Sequence, residues 1–467
     1  MTSTRTSEQL TGAARDHLLM HYTRHGAVGN ELLVLDRGEG PYVFDTHGNR
    51  YLDALSTLFC SQLGWSYGAE LGAAAADQMQ QLAFASNWSM AHPTSIELAE
   101  RLAELAPPGL DRVFFTSGGA ESVEAAWKIV RHHHLATGQP QRTKAIARDV
   151  AYHGGTLGAL ALTGVAAYKR DFEPPAIATR HVAATNRFRA PEPDEAAFCR
   201  RLLTEIEEVV LEEGPDTIAM FIAEPVQNAG GCLTPPTGYW AGVRELADRY
   251  GFLVVADEVI TAFGRLGEWF ASPLVGGSPD VITLAKGLTS AHAPMGAVLV
   301  SDRVATPLYQ EGVALRHGIT YGGHPLCAAI ALKNLEIFER DRVIENVREL
   351  EGHLGMRMRS LCELPIVGDV RGAGFFWAAE LVKDAGGTRF DAAERERLLR
   401  GYLPRRLLEA GLIARPDDRG DSVVQVAPPL ICDMRQLDEM VDGLAQALAD
   451  AGEHMGLTRS ADPVRAV

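Results

Sequence analysis

Basic excess is the first thing missing: 44 lysines and arginines stand against 60 acidic residues, a formal net charge of -16. Nucleic acid and anionic membrane surfaces both reward clustered Lys and Arg, so neither is an expected partner. Cysteine is sparse. The six (Cys60, Cys199, Cys232, Cys327, Cys362, Cys432) are scattered with no CxxC pair. That suggests neither a disulfide framework nor a zinc site, and it suits a reducing cytoplasm. No run approaches the ~20 apolar residues of a membrane span, the opening MTSTRTSEQLTGAARDH has no apolar h-region, and no internal repeat or low-complexity segment appears. What is there, 467 residues of which 46% are hydrophobic, is ample for a sizeable core in one large domain plus a smaller one.

The chain is organised around GFLVVADEVITAFGRLGEWF and the later DVITLAKGL. Two short apolar runs, Leu253 to Ala256 and Val281 to Ala285, are each followed at once by a charged residue, Asp257 and Lys286. Such runs read as parallel strands covered on both faces. In open α/β sheets the ligand sits outside the carboxyl ends of the strands, so Asp257 and Lys286 are expected to face one crevice. That pairing suits pyridoxal phosphate: a lysine amine forms the Schiff base, and a carboxylate keeps the pyridine nitrogen protonated. Alone, Asp257 would read as a helix cap or surface acid.

Around this stretch, LLVLDRGEGPYVFDTHGNRYLDAL alternates apolar and polar positions between two turn signals, a small-domain meander. A helical start is expected at LLMHYTRHG, preceded by a mobile tail over residues 1–17. From Leu71 onward helix and strand alternate in the manner of a doubly wound domain. Beyond Pro325 one long helix, LCAAIALKNLEIFERDRVIENVRELEGHLGMRMRSL, leads to mixed strands and helices. The expected division is 18–70, the first part of a small domain, 71–325, a large cofactor-binding domain, and 326–467, the rest of the small domain. His132 to His134 point around a helix and cannot all meet one metal ion; they read as its solvated, positively charged C-terminal end.

DEVITAFGRLG, ITLAKGL and APMGAVLVS together resemble the class III aminotransferases of the fold type I pyridoxal phosphate family, collinearly over roughly residues 20 to 450. The resemblance implies a mostly parallel doubly wound sheet in the large domain, with a smaller α+β domain built from both chain ends. It implies an amine or ω-amino-acid aminotransferase that uses a small keto acid such as pyruvate, with Lys286 as Schiff-base lysine and general acid/base. Aminomutase or racemase chemistry on the same scaffold is the alternative, and a catalytically silent binder of the cofactor is a third reading.

The remaining candidates follow from the same pattern. In TSGGAES, Ser117, Gly118, Gly119 and Ala120 form a strand-to-helix turn whose amides can approach a phosphate, with Ala120 where the family commonly has serine. Tyr152 and His153, in AYHGG, match the family's YHG, the Tyr ring stacking on the pyridine, and Val259 packs on the opposite face. Glu224, in AEPVQ, is a buried strand-end acid that orients neighbours or balances an arginine. Ala229 marks close approach to substrate or cofactor. Phe59, Trp65 and Trp88 are candidate pocket aromatics. Thr320, in HGITYGG, resembles the segment that crosses a dimer interface to the partner's phosphate, so a homodimer with shared sites is implied. Arg415 falls where many relatives carry a carboxylate-binding arginine; the longer PDDRGD segment leaves Arg419 as the alternative.

Overall fold

The computed structural model describes residues 5–24 and 32–457. Three sheets follow one another along the chain. The first is the antiparallel meander β1 (Leu35–Glu39), β2 (Tyr42–Asp45) and β3 (Arg50–Leu52). The second has seven strands: β4 (Arg112–Thr116), β5 (Lys144–Arg148), β6 (Ala178–Val182), β7 (Ile218–Ala223), β8 (Leu253–Asp257), β9 (Val281–Leu284) and β10 (Gly296–Val300), in the order β4-β10-β9-β8-β7-β5-β6. The third is β11 (Val367–Ala373), β12 (Phe376–Leu381), β13 (Arg415–Asp417) and β14 (Val423–Val426), in the order β11-β12-β14-β13.

In the large sheet, β9, β8, β7, β5 and β6 run parallel, and β10 is antiparallel to both β9 and β4. Every residue of β7, β8, β9 and β10 is buried. That is the environment an uninterrupted apolar run requires. The charge therefore comes where the runs stop. Register pairs Asp257 with Thr283 across β8 and β9, and Lys286 follows three residues later, so the ends of these strands converge at one edge.

Several local expectations are corrected. Within the supposed tail, Ser7–His17 is helical, closed by a reciprocal capping box between Thr6 and Gln9, with no residue buried; residues 1–4 lie outside the described residues. The helical start at LLMHYTRHG is not there: Leu18 leaves the helix in an extended conformation, and His25 and Gly26 lie outside the described residues. The long helix after Pro325 is two, Pro325–Arg340 and Val343–Ser360, because Arg342 adopts a left-handed φ of 54°, which an α-helix of L-residues cannot continue.

The histidine run is the fourth correction. His133 and His134 are buried, His133 Nδ1 lying 3.1 Å from the Val304 carbonyl and His134 Nε2 2.9 Å from that of Ala219. Burial pushes both below the usual histidine value, His134 to about 4, so this helix end is neutral, not charged. The helix Gly119–Ala136 packs against β7, β9 and β10, which encloses His133 and His134 while Leu135 stays exposed. No described helix is long and apolar enough to cross a membrane.

Candidate active site

At the converging strand ends lies a cavity of about 180 Å³ lined by Gly119, Ala120, Tyr152, His153, Glu224, Asp257, Val259 and Lys286, with Gly154, Ile260, Thr261 and Ala285 completing it. Strand β4 delivers the glycine turn, β5 the Tyr152–His153 pair, β7 Glu224, β8 Asp257 and β9 Lys286. Five elements far apart in sequence thus bring eight of the candidates into one pocket.

Asp257 is buried and fixed from three directions. His153 Nδ1 donates at 2.7 Å, the Thr283 hydroxyl at 3.1 Å and the Val259 amide at 3.2 Å. Three donors hold the carboxylate in place. The Nδ1 contact fixes the imidazole, whose buried Nε2 has no partner among the described residues. Glu224 accepts from the Tyr152 amide at 3.4 Å and the Asn228 amide at 2.9 Å, and burial raises its carboxyl above the usual range. Its backbone carbonyl accepts from the buried Arg148. It therefore orients the YHG turn, as a strand-end acid can.

Lys286 has no hydrogen-bond or ion-pair partner among the described residues; its Nζ lies 5.4 Å from the centre of the Phe59 ring. Desolvation pulls its ammonium below the ordinary lysine value, against the opposing influence of Cys60 and Asp257, so the neutral, nucleophilic amine is favoured. Its backbone is left-handed, φ 43°. Such strain in a non-glycine residue clusters at functional sites.

The turn before Gly119–Ala136 supplies the opposite end of the pocket. The first amides of a helix have no intrahelical acceptor, which leaves those of Gly119 and Ala120 available, while the Ser117 amide is already taken by the Glu121 carboxylate at 2.8 Å. Gly119 leaves little room for a side chain: a Cβ there would sit 3.0 Å from Val259 Cγ1, which would have to give by a few tenths of an ångström. Ser117 and Gly118 adjoin the pocket without lining it.

Other candidates lie elsewhere. Phe59 is buried, edge-on to Phe376 at 5.7 Å, and faces Lys286. Ala229 is buried and does not line the pocket. Trp65 packs on Gly38 of the small meander. Trp88 is 68% exposed and covers Gly318, and Thr320 is exposed nearby; within the single chain neither reaches the pocket. Arg415, half-buried in β13, lies 3.8 Å from Asp417. It is Arg419 whose guanidinium sits over Tyr152, 5.7 Å from the ring centre, held by Asp417 through Nε at 2.8 and 3.0 Å and Nη2 at 2.5 Å. Although burial opposes both charges, the pair holds Asp417 below and Arg419 above their ordinary values.

Sequence reasoning missed Tyr22. Its hydroxyl is 3.5 Å from that of Tyr152 and its ring 4.9 Å from Tyr168. Nothing in the spacing joins position 22 to position 152. Thr283 was also missed, although its place opposite Asp257 follows once the two strands are registered.

A family model described as aminotransferase class-III matches residues 24–448. A probable aminotransferase of Mycobacterium tuberculosis is 48% identical, covering 96% of both chains, and the putrescine–pyruvate aminotransferase of Pseudomonas aeruginosa is 38% identical over 92% of this chain and 93% of its own. Among solved structures, an (S)-enantioselective omega-transaminase from Thermomicrobium roseum has a TM-score of 0.92 at 41% identity, covering 96% of this chain and 100% of its own. The omega transaminase of Pseudomonas jessenii, in complex with PMP, has a TM-score of 0.90 at 36% identity, covering 96% and 99%.

Proposed function

The chain belongs to the class III aminotransferases, pyridoxal phosphate-dependent transaminases, and we propose that it moves an amino group from an amine or ω-amino acid to a small keto acid such as pyruvate, with Lys286 bonding the cofactor. One observation carries the reading: an unpartnered, desolvated lysine amine shares a pocket with a carboxylate held by three donors. The relatives' names, a putrescine–pyruvate aminotransferase and omega-transaminases, support the donor and acceptor classes.

The residues present fit the cofactor at each of its chemical ends. Lys286 would meet its aldehyde, Asp257 its ring nitrogen, and the free amides of Gly119 and Ala120 its phosphate, while Tyr152 and Val259 flank the cavity as two faces of a slot. When bound, pyridoxal phosphate supplies an electrophilic carbon and a ring that accepts electrons from the substrate carbon. The chain supplies the rest. Lys286 takes and returns the proton at the substrate carbon, a task suited to an amine whose value is lowered toward neutrality. Asp257, held in place by His153, Thr283 and the Val259 amide, stabilises positive charge opposite it. Arg419, whose planar fork lies over Tyr152, receives a substrate carboxylate in preference to Arg415.

Two chains would complete the site. Trp88, Tyr321 and Phe84 are 68%, 63% and 44% exposed, Phe84 and Tyr321 stack edge-on at 6.0 Å, and Thr320 adjoins them. An exposed apolar patch of this kind marks an association surface. Light scattering is expected to give twice the monomer mass, and a monomer with full activity would refute the shared site.

The function is tested by incubating holoenzyme with an amine and pyruvate and looking for alanine. Alanine formation by the wild type, lost in Lys286→Ala, is expected. Isomerised substrate without alanine would instead mark an aminomutase or racemase.

A further inference from the structure

A second space, larger than the catalytic pocket, lies elsewhere. A cavity of about 420 Å³ lies between the end of β12, residues 389–395 and the loop after Arg419. It exceeds the catalytic pocket more than twofold and falls in the range of roughly 300–1,000 Å³ usual for small-molecule sites.

Its polar lining is unbalanced. Arg189 is paired with Glu380 at 2.6 Å, and Arg389 with Asp421. Arg395, from the short helix Ala392–Arg395, also lines the cavity, and its half-buried guanidinium has no hydrogen-bond or ion-pair partner among the described residues. Two further polar atoms at the same wall, Asn186 Oδ1 and Arg189 Nη2, are buried without partners among the described residues. The other walls are apolar: Val150, Leu233, Leu381 and Phe390. An arginine without a partner among the described residues, in a cavity that also has apolar walls, matches a carboxylate that carries a hydrocarbon body, which a bare inorganic anion does not.

We propose that this cavity is a second binding site, taking a small organic carboxylate with an apolar body and using Arg395 as its charge partner. The site is built against the catalytic one. Gly420, Asp421 and Ser422 of its wall directly follow Arg419, and Gly230 directly follows Ala229. Within that wall Gly420 is packed closely: a Cβ there would meet Val150 Cγ1 at 2.9 Å and Gly230 Cα at 3.2 Å. A bound carboxylate therefore lies beside the segment that follows Arg419 without occupying the transamination pocket.

The test uses 3-phenylpropionate, which has neither amine nor keto group and cannot be turned over, titrated calorimetrically into holoenzyme. The wild type should show a saturable site whose affinity falls roughly 10- to 150-fold in Arg395→Ala, the loss of a hydrogen bond to a charged group, and recovers in part in Arg395→Lys. Crystals grown with the compound should show its carboxylate beside Arg395. An isotherm identical in wild type and Arg395→Ala would overturn the proposal. So would displacement by inorganic phosphate at equal affinity, since the apolar walls would then contribute nothing. Because no turnover is measured, failure here leaves the transaminase reading untouched, and the converse also holds.

Discussion

Removing the His153 imidazole probes how firmly Asp257 must be held. In His153→Leu the carboxylate loses its shortest donor, at 2.7 Å, and keeps the Thr283 hydroxyl at 3.1 Å and the Val259 amide at 3.2 Å. His153 and Asp257 have side chains only 0% and 5% exposed, so water cannot replace the lost contact cheaply. A hydrogen bond to a charged group contributes about 1.5–3 kcal/mol. At about 1.4 kcal/mol per factor of ten, kcat/KM for an amine donor at saturating pyruvate should fall roughly 10- to 150-fold. Thr283→Val, which removes a longer contact, should cost about tenfold or less. Both variants should keep the wild-type circular dichroism spectrum and melt cooperatively. If His153→Leu, shown to be folded, stays within about threefold of wild type, Asp257 does not need its partner and the reasoning fails.

Three further outcomes follow from the geometry. Arg419→Met should raise KM for carboxylate substrates while leaving a simple amine donor nearly unaffected, and should cost about 3–5 kcal/mol of stability because Asp417 is left buried without its main partner; Arg415→Met should do neither to that extent, and the reverse ranking in a kinetic and denaturation comparison would return the role to Arg415. Gly119→Val should crowd Val259 and weaken cofactor retention on dialysis, with Val259→Ala restoring part of it; equal retention in all three proteins would contradict the close approach. The third concerns acid. His134 titrates at about 4 in the fold against about 6.5 free, so the unfolded chain binds the extra proton between those values and stability is lost as pH falls through that window, by about 3 kcal/mol. Denaturant midpoints at pH 7 and pH 4.5 should differ less in His134→Leu than in wild type, and equal differences would refute the assignment.

Much of the catalytic arrangement was legible because it depends on strand ends. A run such as LVVA or VITLA declares its own burial, and the polar residue that ends it declares the pocket, so Asp257, Lys286 and Glu224 could be read directly. The glycine turn and YHG were legible through family resemblance more than through physics. What escaped depends on packing between distant segments. His133 and His134 look like a polar helix end until the Val304 and Ala219 carbonyls close over them. The break at Arg342 lies in a stretch with no glycine or proline to announce it. Arg415 and Arg419 sit four residues apart on an irregular strand and loop, where periodicity does not decide which one turns toward Tyr152. The helix Ser7–His17 is a different case: its Thr6/Gln9 capping box was present in the sequence and went unread.

The covalent role of Lys286 remains the claim on which the others depend. Holoenzyme reduced with borohydride, digested and mapped by mass spectrometry should carry a pyridoxyl group on the peptide that contains Lys286, at about one per chain. A modified peptide elsewhere, or none after full loading with the cofactor, would contradict the account.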